Sequence, residues 1–478
     1  MKYSILGRVA LPAVLCSALS GCVVGPDFKT PPPPEAASFT RAPLDVTTNL
    51  FSTGATVSEK WWAAYRSPEI DALVDRALSN NPNIEVASAN LKAAQENVTA
   101  QRGLFFPSVQ AGYNGSRQNS GPVLSSALSS GDTLYNLHTA QLSVGFVPDI
   151  FGGNRRLVES FGAQADSQKY QLAALRITIA SNVVAATLQH AVLQEQVRVV
   201  EETVELSRLQ LEHLRSLNAA GYSSGIDLAS QEASYAQGRA LLPPLQKQLE
   251  QTRNLIAILC GDLPNEDLAN VSLASVTVPN QLPAILPSQL VAQRPDVQAA
   301  VEQARSANAL IGVATANMLP QFSLTASLGF SKNILAGLLS NDNRAWALSG
   351  GIVEQLFSGG ALQARKRGAE ASAQAALAQY RGTVLTAFQN VADTLHAIES
   401  DGRGLTSSSD AEAANQRLLA MTQKQFDLGY TSGLNLLAVK QTYLQARLAK
   451  VVAYGAYLGD TVALYQALGG GWTKKASQ

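Results

Sequence analysis

Gly221-Tyr222-Ser223-Ser224-Gly225 returns 208 positions later as Gly429-Tyr430-Thr431-Ser432-Gly433. A second offset lies close to it: Pro82 and Pro107 bracket one helical run, Pro295 and Pro320 another, each pair related by 213 residues. Two such offsets in one chain mean an internal duplication. Asn81-Pro82-Asn83-Ile84 opens the first run and Phe105-Phe106-Pro107 closes it, while Arg294-Pro295-Asp296-Val297 and Met318-Leu319-Pro320 do the same in the second. Each half therefore reads as helix, two strands, long helix, glycine-rich turn, long helix. The first repeat covers 67–280, with a strand hairpin at 107–149 and a helical tip at 221–225. The second covers 287–467, with a strand hairpin at 321–357 and a tip at 429–433.

The helices follow from what is missing. Between Ala163 and Ala220 there is neither Gly nor Pro, so about 87 Å of unbroken helix is expected at the ordinary rise per residue. Leu193, Val197, Val200, Val204, Leu211 and Leu214 follow a 4-3 spacing with Ser207 filling the gap, and Leu437, Leu444, Leu448, Val451 and Leu458 keep heptad phase after the second tip. That is the pattern of a left-handed coiled coil. Pro243-Pro244 is expected to interrupt the first return helix, and Gly402 with Gly404 the second outward one. Ser67 is the expected N-cap of the first helix, with Pro68 at its first position.

After Pro107 the apolar period changes from helical to two. Leu142, Val144 and Phe146 alternate with Gln141, Ser143 and Gly145; Phe322, Leu324, Ala326, Leu328 and Phe330 alternate with Ser323, Thr325, Ser327 and Gly329; Trp346, Leu348 and Ile352 continue the pattern. Strands of roughly ten residues with one apolar and one small, polar face match a bilayer-crossing barrel. Four strands cannot close one, and open edges are not tolerated in hydrocarbon. Several copies must then share a barrel: two would fill the lumen with side chains, three would leave room for solvent.

Lys2 and Arg8 precede an apolar run from Val9 to Leu19, the layout of a secretory signal over 1–21. Leu19-Ser20-Gly21-Cys22 has the form of a lipobox, which makes Cys22 the expected site of a covalent lipid and the first mature residue. Pro31 to Pro34 then favour an extended tether. Of the three cysteines only Cys260 remains, in an apolar segment, and reads as a small buried hydrophobe.

Composition removes other classes. Lys and Arg total 36 against 36 Asp and Glu, so no nucleic-acid partner is expected. No run of 18 apolar residues follows residue 25, which removes polytopic helical membrane proteins. His138, His190, His213 and His396 lie far apart without metal spacing, and no phosphate loop is present. No catalytic, metal or cofactor site is expected beyond the lipid on Cys22. The mature chain keeps only Met318 and Met421, too few for a soft-metal relay.

Trp61-Trp62, the lipobox, Val24-Gly25-Pro26-Asp27-Phe28, Leu286-Pro287-Ser288 before Arg294-Pro295-Asp296-Val297, and the closing Gly469-Gly470-Gly471-Trp472 together resemble the TolC-like outer-membrane efflux lipoproteins, the exit ducts of RND-type tripartite pumps. The resemblance implies a mixed, mainly α fold with transmembrane β, in a homotrimer sharing a twelve-stranded barrel and a twelve-helix periplasmic tunnel. It makes 22–66 an acylated tether leading into an equatorial segment and 468–478 a C-terminal tail. A periplasmic adaptor and an inner-membrane transporter are the implied partners. The tips, with Gly221, Tyr222, Gly225, Gly429, Tyr430 and Gly433, become the docking points that open the tunnel.

The implied gate centres on Leu434, where relatives show an apolar constriction, with Ile226, Asp227 and Asn435 around it. Relatives carry acids at the positions of Asn435 and Ala438, and a polar pair where this chain has Phe426 and Thr431; only Asp227 matches an acidic position of that network. An apolar closure by three Leu434 side chains, with Ile226, is the simpler expectation. The leading reading is a passive, non-enzymatic outer-membrane duct for small molecules. A duct for type I protein secretion and a non-channel periplasmic coiled-coil lipoprotein are the alternatives.

Overall fold

The computed structural model describes residues 23–32, 34, 36, 38–41, 51–53, 57–119, 133–279, 281–284 and 287–472. The signal segment, Cys22 and the end of the tail lie outside them. The fold is mainly helical, with α1 (Pro68–Asn80), α2 (Pro82–Gly103), α3 (Gly153–Ala219), α4 (Gly225–Ala240), α5 (Leu242–Leu259), α6 (Pro287–Gln293), α7 (Pro295–Ala316), α8 (Ala361–Asp427) and α9 (Gly433–Ala467). Its strands are β1 (Phe51–Thr53), β2 (Ser108–Asn119), β3 (Leu134–Phe146), β4 (Leu282–Ala284), β5 (Gln321–Lys332) and β6 (Arg344–Val353).

Two compact units result, both fed by the long helices α3 and α8. The first comprises residues 23–31, 90–168 and 299–380. Its centre is an antiparallel sheet in the order β2-β3-β5-β6. Ser108 pairs with Gly145 and Asn119 with Leu134; the hairpins join through Phe146 to Leu324 and His138 to Lys332; Gln321 pairs with Val353 and Phe330 with Arg344. The strands of each repeat are thus one hairpin, laid side by side, with β2 and β6 as edges. The two faces separate as the alternation demands: Trp346 and Leu348 stand exposed on one, and the hydroxyls of Thr325 and Ser349 meet at 2.6 Å on the other.

α3 starts where it does because Asp149 satisfies its first amides. The Asp149 carboxylate accepts from the backbone N–H of Asn154 at 2.8 Å and of Arg155 at 2.9 Å. The next residue, Arg156, is buried and donates to the carbonyls of Val24 and Gly25 at 3.1 Å each and to Asp27 at 2.7 Å. The Val-Gly-Pro-Asp segment is therefore strapped to the helix rather than free.

The second unit comprises, among the described residues, those of 32–89, 169–298 and 381–472. Ser67 caps α1 through the amide of Ile70, and Ile70, Leu73, Val74 and Ala77 bury one face of that helix. β1 pairs in parallel with β4, Phe51 opposite Leu282. Val199 and Leu206 of α3 pack with Leu444 of α9 in a buried cluster joined by Leu437, Tyr443 and Leu448. On α9 these include the heptad residues expected from spacing. On α3 they are one residue out of the expected phase, since Leu193, Val197, Val200 and Leu211 are buried on a neighbouring face as well. Cys260 is fully buried under the Leu73 carbonyl, and its burial pushes the thiol up to about 11.

One expected break is absent. α8 runs through Gly402 and Gly404 without interruption. Glycine costs about 1 kcal/mol against alanine in a helix but keeps its N–H, so the hydrogen-bond ladder survives. Proline removes the N–H and clashes with the preceding turn; accordingly the first return helix does break, ending at Ala240 and resuming at Leu242 ahead of Pro243-Pro244.

Candidate functional site: the paired helical tips

Both glycine motifs fold into the same turn, within the second unit. At the first, Gly221 has φ +82° and donates to the Asn218 carbonyl at 2.9 Å, while Tyr222 donates to Leu217 at 2.8 Å. At the second, Gly429 has φ +80° and donates to Phe426 at 2.9 Å, while Tyr430 donates to Gln425 at 2.8 Å. These are paired Schellman ends, in which only glycine enters the left-handed region without strain. Gly225 and Gly433 play a different part from a C-cap: each is the first residue of the returning helix, following the N-caps Ser224 and Ser432.

The third helical position separates the two tips. Asp227 accepts from the Ser224 amide and hydroxyl at 3.2 and 2.7 Å while the Ser224 hydroxyl accepts from the Asp227 amide, a complete capping box. The Ser224 hydroxyl, followed by its amide, holds the Asp227 carboxyl below the usual carboxylate range. Asn435 donates its amide N–H to the Ser432 hydroxyl at 3.2 Å, but its side chain turns away and donates to Thr431 at 2.9 Å. Asp227 is thus engaged with its own turn.

The second helical position carries the apolar gate candidates. Ile226 is 82% exposed and Leu434 half-buried, each on its own turn. Tyr222 and Tyr430 stand exposed at the apices. Phe426 packs over Gly433, where an added Cβ would meet its ring at 3.6 Å. Around the first tip Arg215 pairs with Glu232 at 2.8 Å across the hairpin, which holds α3 and α4 together just behind the turn. Exposed apolar and aromatic groups thus stand on both turns. Among the described residues no group of three metal-binding side chains occurs.

Sequence reasoning passed over two arrangements. Asp460 of α9 faces Asp401 of α8, and burial followed by that neighbouring carboxyl pushes Asp460 up to about 6. The Arg156 clamp is the other. Neither has a local motif, because each joins segments far apart in the chain.

A family model described as outer membrane efflux protein matches residues 73–262 and 286–470. The probable efflux pump outer membrane protein TtgC of Pseudomonas putida is 29% identical over 467 residues, 98% of this chain and 96% of that protein. The pyoverdine export outer membrane protein OpmQ of Pseudomonas aeruginosa is 29% identical over 418 residues, 86% of this chain and 87% of that protein. Among solved structures, the outer-membrane channel OprN superposes with a TM-score of 0.82 at 29% identity over 94% of this chain and 100% of that one. The CmeC outer membrane channel of Campylobacter jejuni shares the fold at a TM-score of 0.84 and 21% identity, over 95% and 96%. With two matched spans that together take in most of the residues, one in each repeat, the chain belongs to the outer membrane efflux protein family.

Proposed function

We propose that three copies of this chain assemble into the outer-membrane exit duct of a tripartite efflux system, conducting small molecules handed over by an inner-membrane transporter through a periplasmic adaptor. The observation that carries this reading is the four-stranded sheet with β2 and β6 as its edges. Exposed Val109, Trp346, Leu348 and Ile352 make its surface fit for hydrocarbon, where unpaired strand edges cost several kcal/mol per backbone group. Pairing β6 of one copy with β2 of the next satisfies both edges, and three copies supply twelve strands around a solvent-filled lumen. The relatives, efflux and pyoverdine-export outer membrane proteins, support the same reading.

In this reading a lipid on Cys22 anchors the chain, with the strap at Val24–Asp27 fixing where the anchor leaves the body. The duct does no bond chemistry. Its state is set by the tips, where Leu434 and Ile226 close the periplasmic mouth and Tyr222 and Tyr430 meet the adaptor. The test is the mass of the purified full-length protein in detergent together with its conductance in a planar bilayer. A particle of three subunits with small, mostly closed conductance steps is expected; a monomer that never conducts overturns the proposal.

A further inference from the structure

The two aromatic motifs at opposite ends of the chain meet in the second unit, and the tips make no use of them. Trp61 stacks on Tyr465 at 4.9 Å and 16°, and Trp472 stands edge-on to Tyr170 at 5.6 Å and 87°. The three glycines before Trp472 make that approach possible: a Cβ on Gly470 would lie 2.7 Å from Ile177, and one on Gly471 only 2.0 Å from the Ser58 carbonyl. Between these walls lies a cavity of about 490 Å³, lined by Trp61, Trp62, Tyr170 and Trp472. That size is within the range of small-molecule sites, which are mostly apolar with few polar groups.

Its charged lining is three cations, Lys60, Lys169 and Arg176, against two carboxylates, Glu59 and Asp75. Lys60 pairs with Asp75 at 3.3 Å, and Glu59 has a contact of its own. Lys169 and Arg176, seven residues apart on one face of α3, line the cavity, are exposed, and carry no ion pair among the described residues. Trp62 is 5% exposed and its indole N–H has no acceptor among the described residues. Aromatic walls and two exposed cations without an ion pair share one complement: a flat apolar ring that bears an acidic group.

We propose that this cavity binds a small aromatic or alicyclic anion, its ring among Trp61, Trp62 and Trp472 and its acidic group held by Lys169 and Arg176. The site is independent of the pore reading. Three of the four tryptophans of the chain line it, so indole fluorescence reports on it directly. Dansylate (5-dimethylaminonaphthalene-1-sulfonate), which accepts energy from tryptophan, should be titrated into the full-length protein in its native oligomer, with neutral dansylamide alongside.

Saturable energy transfer is expected for dansylate, and at least tenfold weaker binding for dansylamide. Lys169→Gln with Arg176→Gln, both at exposed positions, should weaken dansylate about tenfold and leave dansylamide unchanged. Trp62→Phe should weaken both probes, and Trp346→Phe should leave the transfer intact. Absence of saturable transfer, equal binding of the two probes, or transfer indifferent to the Lys169 and Arg176 changes would each overturn the proposal. So would transfer that appears only once the oligomer is dissociated, since a second copy would then be the occupant.

Discussion

Asp227 and Ser224 close a reciprocal capping box at the first tip, hydroxyl to carboxylate at 2.7 Å, whereas the side chain of Asn435, at the same position of the second tip 208 residues on, turns to Thr431 and leaves the box half made. The two tips share a backbone and differ in how firmly their returning helices are started. Ser224→Ala should cost about 1 kcal/mol of local stability, seen as faster amide exchange at residues 225–228 and unchanged exchange at the second tip. The Asp227 carboxyl is held below its ordinary range, so its contribution is present above that range and lost as pH falls through the lowered value. Protection at the first tip, taken relative to the intrinsic exchange rate at each pH, should therefore fall at acid pH while that of the second tip, with Asn435, stays flat. Equal acid sensitivity at both would remove the assignment.

Glycines with the same backbone sign should respond differently to alanine. Gly221 has φ +82° and open space around it, so Gly221→Ala meets only backbone strain, about 1 kcal/mol. Gly471 has φ +72° and the Ser58 carbonyl 2.0 Å from where a Cβ would stand. Gly471→Ala cannot be accommodated without moving backbone, and a loss of several kcal/mol is expected. Thermal unfolding of the two variants side by side should show a slight fall for the first and severe loss of folded protein for the second.

The Asp460 and Asp401 pair gives stability an unusual pH slope. Burial and the neighbouring carboxyl raise Asp460 from an ordinary value of 3.8 to about 6. A raised carboxyl binds its proton more tightly when folded, so the folded state is favoured at low pH and loses that advantage as pH climbs from about 4 through about 6. Asp460→Asn keeps the shape and removes the charge. It should leave stability at pH 4 unchanged and raise it at pH 7.5 by on the order of 1 kcal/mol, after discounting for solvent access. A denaturation series across that range checks it; a variant with the parent's slope would show that another group carries the effect.

Much of this architecture was legible in the sequence because it is periodic or repeated. The 208 and 213 offsets placed both tips and both hairpins, and the switch to period two after Pro107 marked the strands. What escaped has no period. The seam of α3 at Val199 and Leu206 was missed because that helix buries more than one face, and a single heptad phase can describe only one. The glycine break was misread because Gly402 and Gly404 weaken a helix without removing a hydrogen bond. The Asp401 and Asp460 pair and the Arg156 clamp join residues 59 and 129 or more positions apart, and only the fold brings them together.

The sheet faces make opposite predictions for one charge. Leu348 stands on the apolar face with Trp346, and Ser349 on the face where it meets Thr325. If the apolar face meets lipid, Leu348→Lys should cost about 2–4 kcal/mol near the bilayer centre and sharply reduce folded protein in outer-membrane fractions. Ser349→Lys should fold normally and shift the ion selectivity of the pore. The reverse outcome would turn the sheet inside out.

Leu434 decides between closure and packing. It lies three residues before Leu437, on the side of α9 that leads into the Leu444 cluster, yet the cluster stops at Leu437 and Leu434 is only half-buried. A packing residue cut to serine would lower the unfolding temperature and leave conductance alone. A constriction residue would do the opposite, because its partners are copies of itself across the pore. Leu434→Ser should therefore raise leak conductance and antibiotic entry with little change in unfolding temperature. Ile226→Ser provides the companion measurement: it holds the same helical position on the first tip and is 82% exposed in the single chain, so any rise in leak it causes cannot come from a loosened core. Unchanged conductance in both folded variants would place the closure elsewhere along the tunnel.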